Sequence, residues 1–174
     1  MRSQLTDRID WKSQGAQMKI SDVKVLPIDR YLFVQVETDA GITGLGESGT
    51  WGYLEASGAV VERFRDYLIG QDPLRIEHHW QYLYRCTHFR GAAVMGALSA
   101  VDIALWDIAG KHFGVPVYQL LGGKCRDKAR VYAHVFGKTK QELIQGVWTQ
   151  RNRASTRSVI SLHFWILEDL NPIS

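Results

Sequence analysis

This chain is short of the means to build disulfides: its 174 residues include two cysteines, Cys86 and Cys125. Two, without the spacing of a metal cage, exclude a disulfide framework and leave a reducing cytoplasm as the default compartment. Proline is nearly as scarce, at four, whereas six Trp, seven Tyr and six Phe are too many for a disordered chain. Charge of one sign is also missing. The formal net charge is +3, and it is spread thinly over both ends and the middle. Nothing in that balance asks for a nucleic acid or an anionic membrane as partner. The opening stretch MRSQLTDRIDWKSQGAQ has no apolar core of a secretion signal. One run, residues 91–110, has the length of a membrane span, yet it contains Asp102 and Asp107. Each carboxylate would cost about 2.5–3.5 kcal/mol in hydrocarbon, so the run predicts a buried helix of a soluble protein, with no membrane partner. Reactive motifs are sparse as well: there is no P-loop, nucleophile elbow or Ser/His/Asp constellation.

What is present is a fold pattern. Residues 1–17 form a polar extension, and at 174 residues the chain can bury one sizeable core. Residues 19–29 alternate imperfectly through Ile20, Val23, Val25 and Ile28, and 31–39 place Leu32, Val34 and Val36 on one face. Asp39-Ala40-Gly41 supplies turn chemistry before a third extended segment at 42–48, which predicts an antiparallel meander. Helical spacing follows over 53–69, from Pro73 through Tyr84, and over Ala93–Ile108, where Asp107 and Lys111 form an i,i+4 pair on the wet side. Pro116 opens a short helical turn that Gly122-Gly123 ends. Residues 129–136 then read as a strand, and Thr139 with Glu142 reads as the capping box of one more helix. The class is α+β: a three-stranded antiparallel meander, a helical bundle, and a strand–helix pair that begins something else.

Several motifs invite sharper readings. Gly44–Gly49 satisfies G-x-G-x-x-G, but the helix after it leads to another helix rather than to a parallel strand, and Glu47 stands where a pyrophosphate would sit. A dinucleotide site is not expected. His78, His79, His88 and Cys86 lie close together in sequence without zinc spacing, so satisfied structural histidines are expected. Asp102 and Asp107 point about 140° apart around a helix and cannot act as a carboxylate pair.

The segment Ala97–Lys111, with Pro116-Val117 and Leu120-Leu121-Gly122 at the right distances, closely resembles a signature of the mandelate racemase/muconate lactonizing branch of the enolase superfamily. MKISDVKVLPI (18–28), the V-E-T-D-x-G-I-T-G-L-G-E run (36–47), LIGQDP (68–73) and Tyr84–Gly91 agree with it in order. Within the branch the likeness is to sugar-acid dehydratases of the galactonate dehydratase type, and it spans roughly residues 18–145. The resemblance implies an enolase-type N-terminal capping domain over 18–123, followed at 124–145 by the start of a (β/α) barrel. It implies one Mg²⁺ on barrel carboxylates, a sugar-acid substrate, and proton abstraction next to a carboxylate followed by loss of a β-hydroxyl. The cap would act through loops near 27–31 and 48–53. Trp51, Tyr53 and Arg90 are the substrate-loop candidates, with aromatic packing at a domain seam as their other reading.

A complete barrel needs about 200 residues, and 44 follow Arg130. The family's metal ligands and catalytic bases would lie beyond them. The expectation is a capping-domain fragment that binds no Mg²⁺ and is inactive by itself, from a dehydratase parent. A cycloisomerase, racemase or epimerase parent stays open, and so does a non-catalytic interaction module. Partners left open are further copies of itself or a full-length homologue. Residues 146–174 change character. Arg151–Ile166 is encodable by codons that, read from their third base, spell EQGFNAVGHLTPFLD, a helix end, Gly turn and apolar strand. A frameshift is one reading of this tail. The other is a genuine apolar strand over Val159–Leu167, with Phe164 and Trp165 uncovered.

Overall fold

The computed structural model describes residues 18–50, 52–127, 132–153 and 159–164. The chain divides between Gly123 and Lys124 into two compact units. The first opens with a meander of β1 (Ile20–Ile28), β2 (Tyr31–Thr38) and β3 (Thr43–Ser48), paired antiparallel in the order β1-β2-β3. Leu32, Val34, Val36 and Thr38 alternate inward along β2. The register of β1 slips between Ile20 and Asp22. That bulge at Ser21 is why the alternation looks imperfect: Ile20 and Val23, three apart, both face the core.

Three helices cover the sheet: α1 (Leu54–Leu68), α2 (Ile76–Arg85) and α3 (Ala92–Phe113), with a short α4 (Val117–Leu120) after them. Val61, Phe64 and Leu68 of α1 meet Ile76 and Leu83 of α2 and Leu98, Val101 and Leu105 of α3 in one core with the sheet. The second helix starts later than Pro73 suggests. The Asp72 carboxylate accepts from the Leu74 amide at 2.9 Å and its carbonyl from Arg75 at 3.2 Å, so Pro73 belongs to a turn that hands over to α2. Gly114, at φ 66°, ends α3 in the left-handed region.

The glycines of G-L-G belong to packing, not to a ligand. They lie inside β3, two apart on one face, against Ala100 and Ala104 of α3. A Cβ on Gly46 would stand 1.9 Å from the Ala100 carbonyl oxygen, and one on Gly44 2.0 Å from that of Ala104. Strand and helix backbones therefore touch, and among the described residues no parallel strand pairs with β3.

β3 is an edge strand, and the Asp107–Lys111 pair closes its open side. Asp107 accepts the Leu45 amide at 2.9 Å and the Lys111 ammonium at 2.8 Å, while Lys111 also donates to the Thr43 carbonyl at 2.6 Å. A pair that reads in sequence as surface decoration thus satisfies the groups an edge leaves bare. Asp107→Ala is expected to cost about 1–2 kcal/mol in urea unfolding, because it strips the Leu45 amide of its acceptor and takes from Lys111 one of its two. A loss below a few tenths would show the edge to be indifferent to it.

The second unit holds β4 (Tyr132–Gly137), α5 (Lys140–Arg153) and β5 (Val159–Phe164). β4 and β5 pair in parallel, from Tyr132↔Val159 to Gly137↔Phe164. This is a strand–helix–strand repeat of the kind barrels are built from. The capping box forms: the Glu142 amide donates to Thr139 Oγ1 at 3.2 Å. The returning Glu142 carboxylate takes the amide of Lys138, one residue earlier than the simple pattern, at 2.7 Å. α5 runs unbroken past Gly146, whose bare Cα lies against Val135 of β4. Residues 1–17 and 165–174 lie outside the described residues.

Candidate functional site

The hairpin β1–β2 closes at Ile28↔Tyr31, and β2–β3 pairing ends at Leu32↔Ser48. The turn at 28–31 and the chain leaving β3 therefore emerge at one end of the sheet. Asp29, at φ 52°, supplies the left-handed residue of a two-residue turn. Arg30 beside it donates to the Tyr31 hydroxyl at 3.2 Å and lies 5.4 Å from that ring's centre. The first turns of α3 reach the same corner: a Cβ on Gly96 would stand 2.5 Å from Thr50 Oγ1 and 2.7 Å from Ser48 Oγ. So the α2–α3 connection that carries Arg90 leads into this end as well.

A chain of three hydroxyls fixes the segment after β3 from below. Ser48 and Thr50 are 2.7 Å apart, Thr50 and Ser57 2.6 Å, and both serines are fully buried. The Ser57 amide donates to the Tyr53 carbonyl at 3.1 Å, tying the segment to the first turn of α1. The consequence is a loop with a rigid floor and an outward face. Sequence reasoning missed this relay; three small hydroxyl residues around a glycine-rich loop were its only trace.

The substrate-loop candidates separate. Tyr53 stands at the N-terminal boundary of α1 and is 68% exposed, free to meet a ligand. Trp51 lies outside the described residues. Arg90 is held back: its Nε donates to the Tyr84 carbonyl at 2.6 Å and its guanidinium lies 4.2 Å from the Tyr84 ring centre. Tyr84 stacks in turn on Trp80, at 4.8 Å. Arg90 and Tyr53 share no hydrogen bond or ring contact among the described residues, so the structure does not join them into one site. Phe89, 90% exposed in the same connection, was not anticipated.

The histidines do not converge on a metal. His79 is fully buried; its Nε2 lies 2.8 Å from the Asp72 carbonyl and its Nδ1 3.0 Å from the Tyr67 hydroxyl. A carbonyl only accepts, so Nε2 carries the proton and Nδ1 receives that of Tyr67. Burial holds the imidazole below its ordinary pKa of 6.5 and pushes the Tyr67 phenol up. Among the described residues no group of three or more His, Cys, Asp or Glu is placed to hold a metal ion. The Mg²⁺ that the resemblance implies therefore finds no fitting ligand set among them.

Residues 9–122 match the family described as mandelate racemase/muconate lactonizing enzyme, N-terminal domain. The chain is 47% identical over 132 residues to the D-galactonate dehydratase of Verminephrobacter eiseniae, covering 75% of this chain and 35% of that one. It is 48% identical over 130 residues to the D-galactonate dehydratase of Pectobacterium atrosepticum, covering 74% and 34%. A crystal structure of an enolase from Pantoea ananatis with bound D-gluconate and Mg superposes with a TM-score of 0.73 at 34% identity, covering 83% of this chain and 37% of that one. The chain thus spans about a third of the length of the relatives it matches.

Proposed function

We propose that this chain, which belongs to the mandelate racemase/muconate lactonizing enzyme family through its N-terminal domain, is the substrate-selecting cap of a Mg²⁺-dependent sugar-acid dehydratase. The observation that carries the reading is the 46–49% identity to D-galactonate dehydratases over 117–132 residues. The loop floor supports it. The Ser48–Thr50–Ser57 relay, with both serines buried, holds the chain after β3 in place and leaves Tyr53 outward, the arrangement a selecting loop requires. A phenol there offers a hydroxyl to a polyol and a ring that excludes water. The described residues provide no base paired with a metal cluster, so the part assigned to them is selection and shielding, and no chemical step is routed through them.

The test replaces the matched segment of the Verminephrobacter enzyme with residues 18–123 of this chain. Mg²⁺-dependent loss of water from D-galactonate or a related aldonate is the expected result, and the 174-residue chain by itself is expected to give none. A folded chimera that racemises or cyclises other acids but dehydrates no sugar acid would shift the assignment to the racemase or cycloisomerase branches. Dehydration by the 174-residue chain alone would overturn the cap reading itself.

A further inference from the structure

Between α1 and α2 lies a cavity of about 230 Å³, with Val94 of α3 in its wall. Helical spacing builds one side of it. Val60, Arg63, Phe64 and Tyr67 stand at i, i+3, i+4 and i+7 and so share one face of α1. Phe64 and, from α2, Leu83 are buried and form the floor, while Val60, Tyr67 and Val94 are half-buried. Tyr82 stacks on Tyr67 with 3.9 Å between ring centres. Most polar groups of the lining already have work within the fold. The Tyr67 hydroxyl donates to His79, the Cys86 thiol to the Leu83 carbonyl at 3.2 Å, and the Thr87 hydroxyl to the Phe89 carbonyl at 3.2 Å. Arg63 differs. It is exposed, and no described residue pairs with its guanidinium. No carboxylate lines the cavity, and the more open depression that shares Tyr82 and Cys86 with it adds His78 and Arg85 and again no acid.

We propose that this cavity binds a small aromatic carboxylate, an arylalkanoate with a single ring. The proposal goes beyond the cap reading and does not lean on it, since none of the lining residues belongs to the loop that carries Tyr53. Size sets the body of the ligand. At about 30 Å³ for each water-sized group the cavity holds about eight of them, enough for one ring and a methylene. Its floor and walls of aromatic and aliphatic side chains suit a flat apolar ring. Charge sets the head. An unpaired guanidinium at the rim takes a carboxylate through two parallel N–H bonds, a match that a neutral ligand forgoes. Other occupants fit less well. A sugar acid would press its hydroxyls against Phe64, Leu83 and Val94, which offer them no partner. A lipid chain is too long for the volume.

The probe is phenylacetate, titrated calorimetrically into the full 174-residue chain. Binding with a Kd of about 1 mM or tighter is expected, well within what a ligand of about ten non-hydrogen atoms can supply. Phenylacetamide keeps the ring and loses the charge, and is expected to bind about 10-fold more weakly. Arg63→Gln, at an exposed position, is expected to lose the same factor for phenylacetate and to leave the amide unchanged. Val94→Phe fills the cavity from its wall and is expected to abolish binding of both, with urea midpoints showing that the variants fold. If Val94→Phe does not fold, the comparison of acid with amide on the parent chain and on Arg63→Gln still decides. No saturable binding below about 10 mM would overturn the proposal. Equal affinities for acid and amide would overturn it as well, and so would a loss in Arg63→Gln with none in Val94→Phe, which marks ion pairing at the surface. Affinity that falls as the chain is concentrated would give the cavity to a second copy instead. D-galactonate binding that Val94→Phe removes would replace the aromatic ligand with a polyol. The titration makes no use of catalysis, so a chimera that dehydrates no sugar acid leaves its result standing.

Discussion

Gly46→Ala is expected to cost at least about 3 kcal/mol in chemical denaturation, or to leave the chain unable to fold. One methyl in a core ordinarily does less harm, because side chains rotate aside and the cost is about 1–3 kcal/mol. Here nothing can rotate. The new Cβ would stand 1.9 Å from the Ala100 carbonyl oxygen and 2.8 Å from its carbonyl carbon, and both are helix backbone. Relief requires β3 to lift from α3, and that movement would also pull the Leu45 amide from Asp107 and the Thr43 carbonyl from Lys111. Gly44 faces Ala104 in the same way, at 2.0 Å, so Gly44→Ala is expected to match it. Two comparisons make the result specific. Gly49, just past the G-L-G pair, has open space around it and no left-handed φ, and Gly49→Ala is expected within about 0.5 kcal/mol of the parent chain. Ala100→Gly is expected not to rescue Gly46→Ala, because the obstacle is a carbonyl and not a methyl. A Gly46→Ala chain as stable as the parent would mean that β3 and α3 do not touch along this seam.

The same two glycines show where sequence reasoning succeeds and where it stops. Rejecting a nucleotide site at 44–49 needs only the order of elements, since a helix followed by a helix leaves no parallel strand to complete the binding unit. What the glycines are for is out of its reach. Their reason lies on α3, far along the chain, and no local pattern records a backbone contact across that distance. The family, the α+β class, the meander and the helix order are legible because each rests on local periodicity or on a long signature. The bulge at Ser21 shows up in sequence only as a flawed alternation, since an inserted residue and a weak strand look alike until the partner strand is seen. Asp107–Lys111 is legible as a pair and illegible as an edge cover, because the pair is local and the edge is not.

The candidate site divides in the same manner. Tyr53 is legible as an exposed aromatic on the loop after β3, because turn residues and the start of a helical period are local features. Arg90 reads in sequence either as a group that faces a ligand or as packing at a domain seam, and in the fold it stacks with Tyr84 and Trp80 beside α2. Their spacing on and after α2 permits that ladder, but only the course of the 86–91 connection selects it. The hydroxyl relay beneath the loop escapes for a further reason: serine and threonine at a strand end are common, and burial turns them into a scaffold only when a helix start such as Ser57 is brought over them.

His79 is where burial has the largest consequence for pH, and His79→Leu is expected to cost about 2–4 kcal/mol at pH 7. The leucine would fill the space but leave the Asp72 carbonyl and the Tyr67 hydroxyl without their partner, at about 1–3 kcal/mol for each buried polar group. Both losses fall where α2 begins and where α1 meets it, since Asp72 forms the turn into α2 and Tyr67 sits on α1. The sign of the pH effect follows from the depressed pKa. Between the folded value and 6.5 the unfolded chain binds the proton and the folded chain does not, so acidification favours unfolding. The stability that neutral His79 contributes is complete above about pH 6.5 and declines as pH falls toward the folded value. Asp102 acts with the opposite sign, because its raised pKa lets the folded chain take up a proton first on acidification. For that reason the difference between the parent chain and His79→Leu, and not the parent alone, isolates the histidine. That difference is expected to be largest at about pH 7 and to shrink steadily toward about pH 5. A gap constant over this range would show that His79 titrates as it does when unfolded, and a gap that grows toward pH 5 would show that it is protonated in the fold; either contradicts its place between an accepting carbonyl and a donating phenol. If His79→Leu does not fold, the imidazole carbon resonances of the parent chain answer the same question: His79 is expected to titrate below pH 6.5.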